Sequence, residues 1–229
     1  MSLIKKGRDI LVKFPMLIGI TTVVFNKTIG FNRIRIKGKS NKVSGINSSF
    51  LRRCKIKIIG DNNLIIMKEM SYLNECKISI YGNNNEITIG NGTHIAKGDF
   101  YIEDDNNAIN VGDLTAICGY THIAATEGKR IVIGKDCLFS SDVIIRTGDS
   151  HSIIDLEGHR INQAKDVIIG NHVWIGNRVT ILKGSKIKSN SVVGTGSIVT
   201  KAIDIDNAII TGNPAYVIKQ NINWDKKRI

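Results

Sequence analysis

The sequence predicts an all-β chain, a parallel solenoid of stacked three-faced coils. Three observations carry this: a 22-residue repeat in the N-terminal half, a six-residue repeat in the C-terminal half, and one interruption between coils. Ile and Val recur throughout, with only 2 prolines among 22 glycines. Branched residues pack well on a pleated surface, and Gly and Asn supply the turns between short strands.

Residues 1–30 precede the repeat and are expected to form an N-terminal capping segment. The stretch FPMLIGITTVVF (14–25) follows a basic start. It is too short to cross a bilayer, and no small-residue cleavage site follows it, so it reads as a docking or capping segment. Its basic, apolar character leaves peripheral membrane contact as the lesser reading.

The solenoid is expected over residues 31–219. IKGKSNKV (36–43), IIGDNNLI (58–65), IYGNNNEI (80–87) and IEDDNNAI (102–109) are copies of one unit, each starting 22 residues after the last. Asn41, Asn63, Asn85 and Asn107 fall at one phase and are read as turn chemistry, since Asn tolerates left-handed backbone. Cys54 and Cys76 are also 22 apart. In-register stacking of small buried thiols, not a disulfide, is the expectation, in a reducing, cytoplasmic setting. Cys118 and Cys137 are read as buried free thiols too.

From Ile169 the period is six: Ile169, Ile175, Ile181, Ile187, Val193 and Val199. Ile133, Phe139 and Ile145 show the same spacing earlier. Neither a helix, with spacings of three and four, nor a single strand, with spacing two, gives this period. Three hexads make one three-faced coil, and the 36 residues from Ile133 to Ile169 are read as two such coils. Each coil buries its apolar side only by stacking on the next.

Residues 146–165, RTGDSHSIIDLEGHRINQAK, break the pattern and are expected to be extruded as a loop. Loops on rigid scaffolds are where chemistry concentrates. Residues 220–229 form a short C-terminal tail.

The net charge of +12 suits anionic partners. Aromatic content of 6% and the lack of any nucleic-acid motif argue against nucleic acid. Of five histidines, none shows the spacing of a three-histidine metal site, so no metal is expected.

VIIGNHVWIGNRVTILKG, SVVGTGSIVTK and TGNPAYVIK, with DSHSI (149–153) and GHRIN (158–162), resemble the hexapeptide-repeat acyltransferases. The likeness is nearest to bacterial capsule and polysaccharide O-acetyltransferases and covers roughly residues 109–224. It implies a left-handed β-helix, against the usual right-handed rule for parallel crossovers. It also implies a homotrimer using acetyl-CoA in the cleft between subunits, and a carbohydrate acceptor, for which the positive charge suits an acidic glycan. His151 matches the family's catalytic base in the Asp-x-His motif, with Asp149 as the group that orients it or as a turn former. His159 is the runner-up base. Trp174 is expected to point outward, beside an inward hexad residue, and to shape the acetyl and acceptor site. Gly176, Asn177, Gly194, Thr195, Thr200 and Lys201 are carried over as the acetyl-CoA site, with Lys219 meeting phosphate. Tyr216 departs from the basic residue often found after the Pro-Ala of that motif. His172 is read as a solvent-facing turn residue, and His94 and His122 are assigned no role. The competing readings are an N-acetyltransferase acting on an amino sugar, and a non-catalytic binding solenoid.

Overall fold

The computed structural model describes residues 15–228, with side chains from residue 19. The basic start of the predicted cap, residues 1–14, lies outside them. The chain is a parallel β-solenoid of about eight turns. Its coils present three faces, each a ladder of parallel strands in register. The first face begins at Arg33–Lys37 (β1), the second at Lys42–Ser44 (β2) and the third at Phe50–Arg52 (β3). The first and third faces merge into one sheet because His94–Glu103 and Ala116–Ala125 each run through the corner between them as a single strand.

From the second coil on the repeat positions are the core, while Ile36 in the first coil is 44% exposed. Ile36, Ile58, Ile80 and Ile102 stand in one register column on the first face. Every hexad mark from Ile133 to Val199 is at most 1% exposed. Each buried Ile contributes roughly 2 kcal/mol of transfer free energy, and a parallel stack fixes its register through that column. The small residues two places earlier are buried as well. Ser185 donates its hydroxyl to Val199 O at 2.9 Å and Ser197 donates to Gly194 O at 2.7 Å, which satisfies them inside the stack.

One count is corrected. Ile133 pairs directly with Ile169, so the 36 residues between them are one coil, not two. An 18-residue coil would be enough, and the surplus is extruded between Arg146 and Val167.

The Asn column is also more than turn chemistry. Asn63, Asn85 and Asn107 are each 1% exposed. Asn85 Oδ1 accepts from Asn107 N at 2.8 Å and Nδ2 at 3.1 Å, and Asn63 Oδ1 accepts from Asn85 N at 3.0 Å. Each side chain satisfies backbone groups of the next coil, which water cannot reach.

The thiols follow the expectation with one exception. Cys54, Cys76 and Cys137 are free and buried, and burial pushes the Cys137 thiol up to about 11. Cys118 is exposed, at the bulge between Ile117 and Tyr120 that turns its side chain outward.

A solenoid exposes unpaired backbone at each end. At the N-terminal end a helix, Pro15–Thr28 (α1), covers the first coil. Proline suits its first turn and Lys27 its last. Asn26 does the satisfying: its Nδ2 donates to Ile46 O at 2.8 Å and Ser49 O at 2.9 Å, and its Oδ1 accepts from Leu51 N at 2.8 Å. Phe25 meets Phe50 edge-on, centroids 5.6 Å apart. A Cβ on Gly30 would sit 2.6 Å from Asn26 O, so only glycine lets the chain leave the helix here. At the other end, Ile209–Gly212 turns back antiparallel as Ala215–Lys219. No described helix is long and apolar enough to cross a membrane.

Candidate active site

The extruded loop leaves the corner between the first and second faces and is anchored at its root. Asn162, 7% exposed, is the hub. Its Nδ2 donates to Asp149 Oδ2 and to His151 O, both at 2.8 Å, and its Oδ1 accepts from Ile153 N at 2.7 Å. Lys183, one coil on at the same corner, donates Nζ to Asp149 Oδ2 at 2.5 Å and to Asn162 O at 2.8 Å. Arg160 forks onto Glu127 with bonds of 3.0 and 2.6 Å. Lys183, then Asn162, hold the Asp149 carboxyl below its ordinary range, and Arg160 does the same for Glu127.

His151 is therefore fixed through its carbonyl, while its imidazole is exposed and makes no hydrogen bond to a described residue. Asp149 is expected either to orient His151 or to form a turn; its carboxylate makes no bond to the His151 imidazole and instead meets Lys183 and Asn162. His159 lies farther out, its Nδ1 3.5 Å from Asp155 and 3.7 Å from Glu157. These three residues could present ligand atoms to a cation within 4.8 Å of one another, at the exposed tip of the loop.

Trp174 stands elsewhere. It is outward on the third face, 39% exposed, in a column with Leu138 and Val192. The corner between the first and second faces is opposite the third face, so one protomer does not bring His151 and Trp174 together. Gly176, Asn177, Gly194 and Thr195 go with Trp174, at the corner between third and first faces. Thr200 and Lys201 go with the loop, at the corner of Lys183. Lys219 ends the antiparallel return strand.

The two glycines serve the stack itself. A Cβ on Gly176 would lie 2.8 Å from Thr195 N, and one on Gly194 2.9 Å from Thr211 Oγ1. Their amides already donate to Val193 O and Ile210 O. The amides of Asn177 and Thr195 have no described partner and are the ones left for a ligand. Thr195, Thr200, Lys201 and Lys219 are all exposed.

Sequence reasoning missed two features. His172 is not a plain surface turn. Its ring stacks on Trp224 at 4.2 Å, its Nδ1 meets Asp136 Oδ2 at 2.8 Å, and Trp224 Nε1 donates to His172 O at 2.8 Å. The tail is thereby locked down, and Trp224 comes within 6.0 Å of the Trp174 ring. His122 lines a groove of about 510 Å³ on the first face, with Tyr101, Arg146 and Ser150. Its Nδ1 lies 3.3 Å from Asp99, and burial lowers its pKa. Its only sequence signal was a polar residue at an outward position amid apolar neighbours.

The solved structures of two acetyltransferases superpose on nearly all of this chain. One, the polySia-specific acetyltransferase NeuO, has a TM-score of 0.77 at 32% identity, covering 86% of this chain and 89% of that one. The other, the polysialic acid O-acetyltransferase OatWY, has a TM-score of 0.78 at 33% identity, covering 86% and 92%. The family described as bacterial transferase hexapeptide (six repeats) matches residues 166–201. The chain belongs to the hexapeptide-repeat transferases. Among curated members, the polysialic acid O-acetyltransferase of Escherichia coli O1:K1 is 41% identical over 100 residues, 43% of this chain and 32% of that protein. That of Neisseria meningitidis is 40% identical over 110 residues, 48% of this chain and 51% of that protein. The matched stretches thus span about half or less of those curated relatives.

Proposed function

We propose that this hexapeptide-repeat transferase moves an acetyl group from acetyl-CoA to a hydroxyl of an acidic surface polysaccharide, with His151 as general base. The observation that carries it is the mounting of His151: a backbone clamped by a buried Asn and an ion pair, and an imidazole left open. The names of the relatives, polysialic acid O-acetyltransferases, supply the acceptor class.

His151 takes the proton of the acceptor hydroxyl as that oxygen attacks the thioester carbonyl. The new C–O bond forms, the C–S bond breaks, and the imidazolium returns the proton to the departing thiolate. Such general-base help is worth about 10²–10⁴-fold. Trp174 covers the acetyl group, and the amides of Asn177 and Thr195 meet the pantetheine arm. Lys201 and Lys219 face its phosphates.

Because His151 and Trp174 lie on opposite sides of one protomer, a complete site joins one subunit's loop to the partner subunit's Trp174. A cyclic homotrimer repeats this contact three times. The loop supports it: Ile153, Ile154, Ile161 and Leu156 are 56%, 61%, 59% and 107% exposed, an apolar set that asks for a cover.

Thiol release from acetyl-CoA with polysialic acid, compared with neutral glycans, tests the reading. Transfer to the acidic polymer that drops at least about 10²-fold in folded His151→Ala supports it. Full activity in that variant would sink His151 as the base.

A further inference from the structure

The positive charge is not spread evenly. On the first face, the outward column Arg33, Lys55, Lys77 runs beside the column Arg35, Lys57, each cation directly above the next. Stacked like charges destabilise a sheet. Other ladders on this molecule pair them off, as Arg53 with Glu75, Arg130 with Asp166 and Lys186 with Asp204. Here no acidic residue stands among the five. Among the described residues Lys77 alone reaches a carboxylate, Asp99 at 3.6 Å, and Lys57 instead lies over the Tyr81 ring at 4.9 Å.

The cations line a hollow of about 300 Å³. It lies on the same face as the groove beside the His151 loop, where Arg160 and Lys183 pair two of the four lining carboxylates, Glu127 and Asp149, and Glu103 and Asp104 have no ion pair among the described residues. Tyr81 lines the upper hollow and Tyr101 the lower, and their rings are 5.8 Å apart. Below them, Arg146 makes no ion pair with a described residue and closes the column that begins at Arg35. From the Arg35 coil to the Arg146 coil is five strand spacings, roughly 24 Å.

We infer that the stacked cations of the first three coils are a remote binding site for an anionic polysaccharide, which runs down this face across the two tyrosines into the groove at the loop. Aromatic rings suit the apolar faces of sugars and stacked cations suit their carboxylates. The identity of the polymer rests on the proposed acetyl transfer; the existence of the site does not. A polymer held at one end presents successive units to His151 without dissociating, so the effective concentration of acceptor rises with chain length.

The test is the Lys55→Glu/Lys57→Glu variant, with Lys55→Gln/Lys57→Gln as the milder partner. Binding is measured by calorimetry with polysialic acid alone, and transfer with long polymer and a short oligomer. The expected result is at least tenfold weaker polymer binding, a KM for polymer raised as much, and unchanged kcat and unchanged short-oligomer kinetics. Raising salt should weaken the wild type more than either variant. Loss of the short acceptor in parallel with the long one, or no change in polymer binding, overturns the inference. So does tighter, ladder-dependent binding to anionic phospholipid vesicles or duplex DNA than to the polymer. Ladder-dependent polymer binding by a chain that transfers no acetyl group would uphold this site while refuting the proposed reaction.

Discussion

The Asp149 carboxylate is held by Lys183, 34 residues later in the chain, and leaves His151 two residues away without an acidic partner among the described residues. The bridge spans loop and scaffold, so it sets where His151 stands without touching the imidazole. Lys183→Met is expected to lower kcat about tenfold by loosening the loop. Global stability should change by less than about 1 kcal/mol, because the pair is partly exposed. Hydrogen exchange over residues 148–162 should speed up in the variant. Unchanged kcat would show that Lys183 does not position the base. The same pair gives an acid limit. The folded Asp149 pKa lies below its unfolded value, so its stabilisation is complete above the unfolded value and is lost as pH falls through the folded one.

Co-expression of His151→Ala with Trp174→Ala separates one-chain from two-chain sites. Each variant alone should be nearly inactive. In mixed trimers about a quarter of the sites would join an intact His151 to the partner's intact Trp174, restoring about a quarter of wild-type activity. No recovery would mean that one protomer carries both.

Asn85→Ala orphans Asn107 N and Asp104 O within the stack, so it should cost about 3 kcal/mol in chemical denaturation. Asn41→Ala, at the half-buried end of the same column, should cost about 1 kcal/mol because water replaces its bonds. Equal costs would remove burial as the reason for the ladder.

Trp224→Ala should free the tail and cost about 3 kcal/mol. It should also raise the solvent exposure of Trp174, read as a red shift of the remaining tryptophan's fluorescence. An unshifted spectrum would show that the tail does not shape that surface.

The core was legible because burial in a solenoid repeats: Ile58, Ile80 and Ile102 announce one another at a fixed spacing. The loop was legible as a break in that spacing. The 36-residue interval was misread because 36 is both two coils of 18 and one coil plus an 18-residue insertion, and only pairing of Ile133 with Ile169 decides. The lock between His172 and Trp224 spans 52 residues and has no period, so no local pattern announces it. The role of Asp149 stayed open between orienting His151 and forming a turn, because proximity in sequence to His151 says nothing about where a carboxylate points once Lys183 competes for it. The division of the predicted site between two sides of the coil follows from face assignments that need the position of every corner.

The unbroken 22-residue columns make the N-terminal half a ruler. Removing residues 77–98 would join Cys76 to Asp99 with each face still meeting its own kind; it would take out Lys77 and Tyr81 and bring Lys55 and Lys57 one strand spacing, roughly 4.8 Å, closer to the loop. Sealed by α1 at one end and by the returning strand at the other, the molecule can change its reach only in such whole steps. The separation between where an anionic chain is gripped and where it is modified is therefore a counted quantity, written as a number of coils.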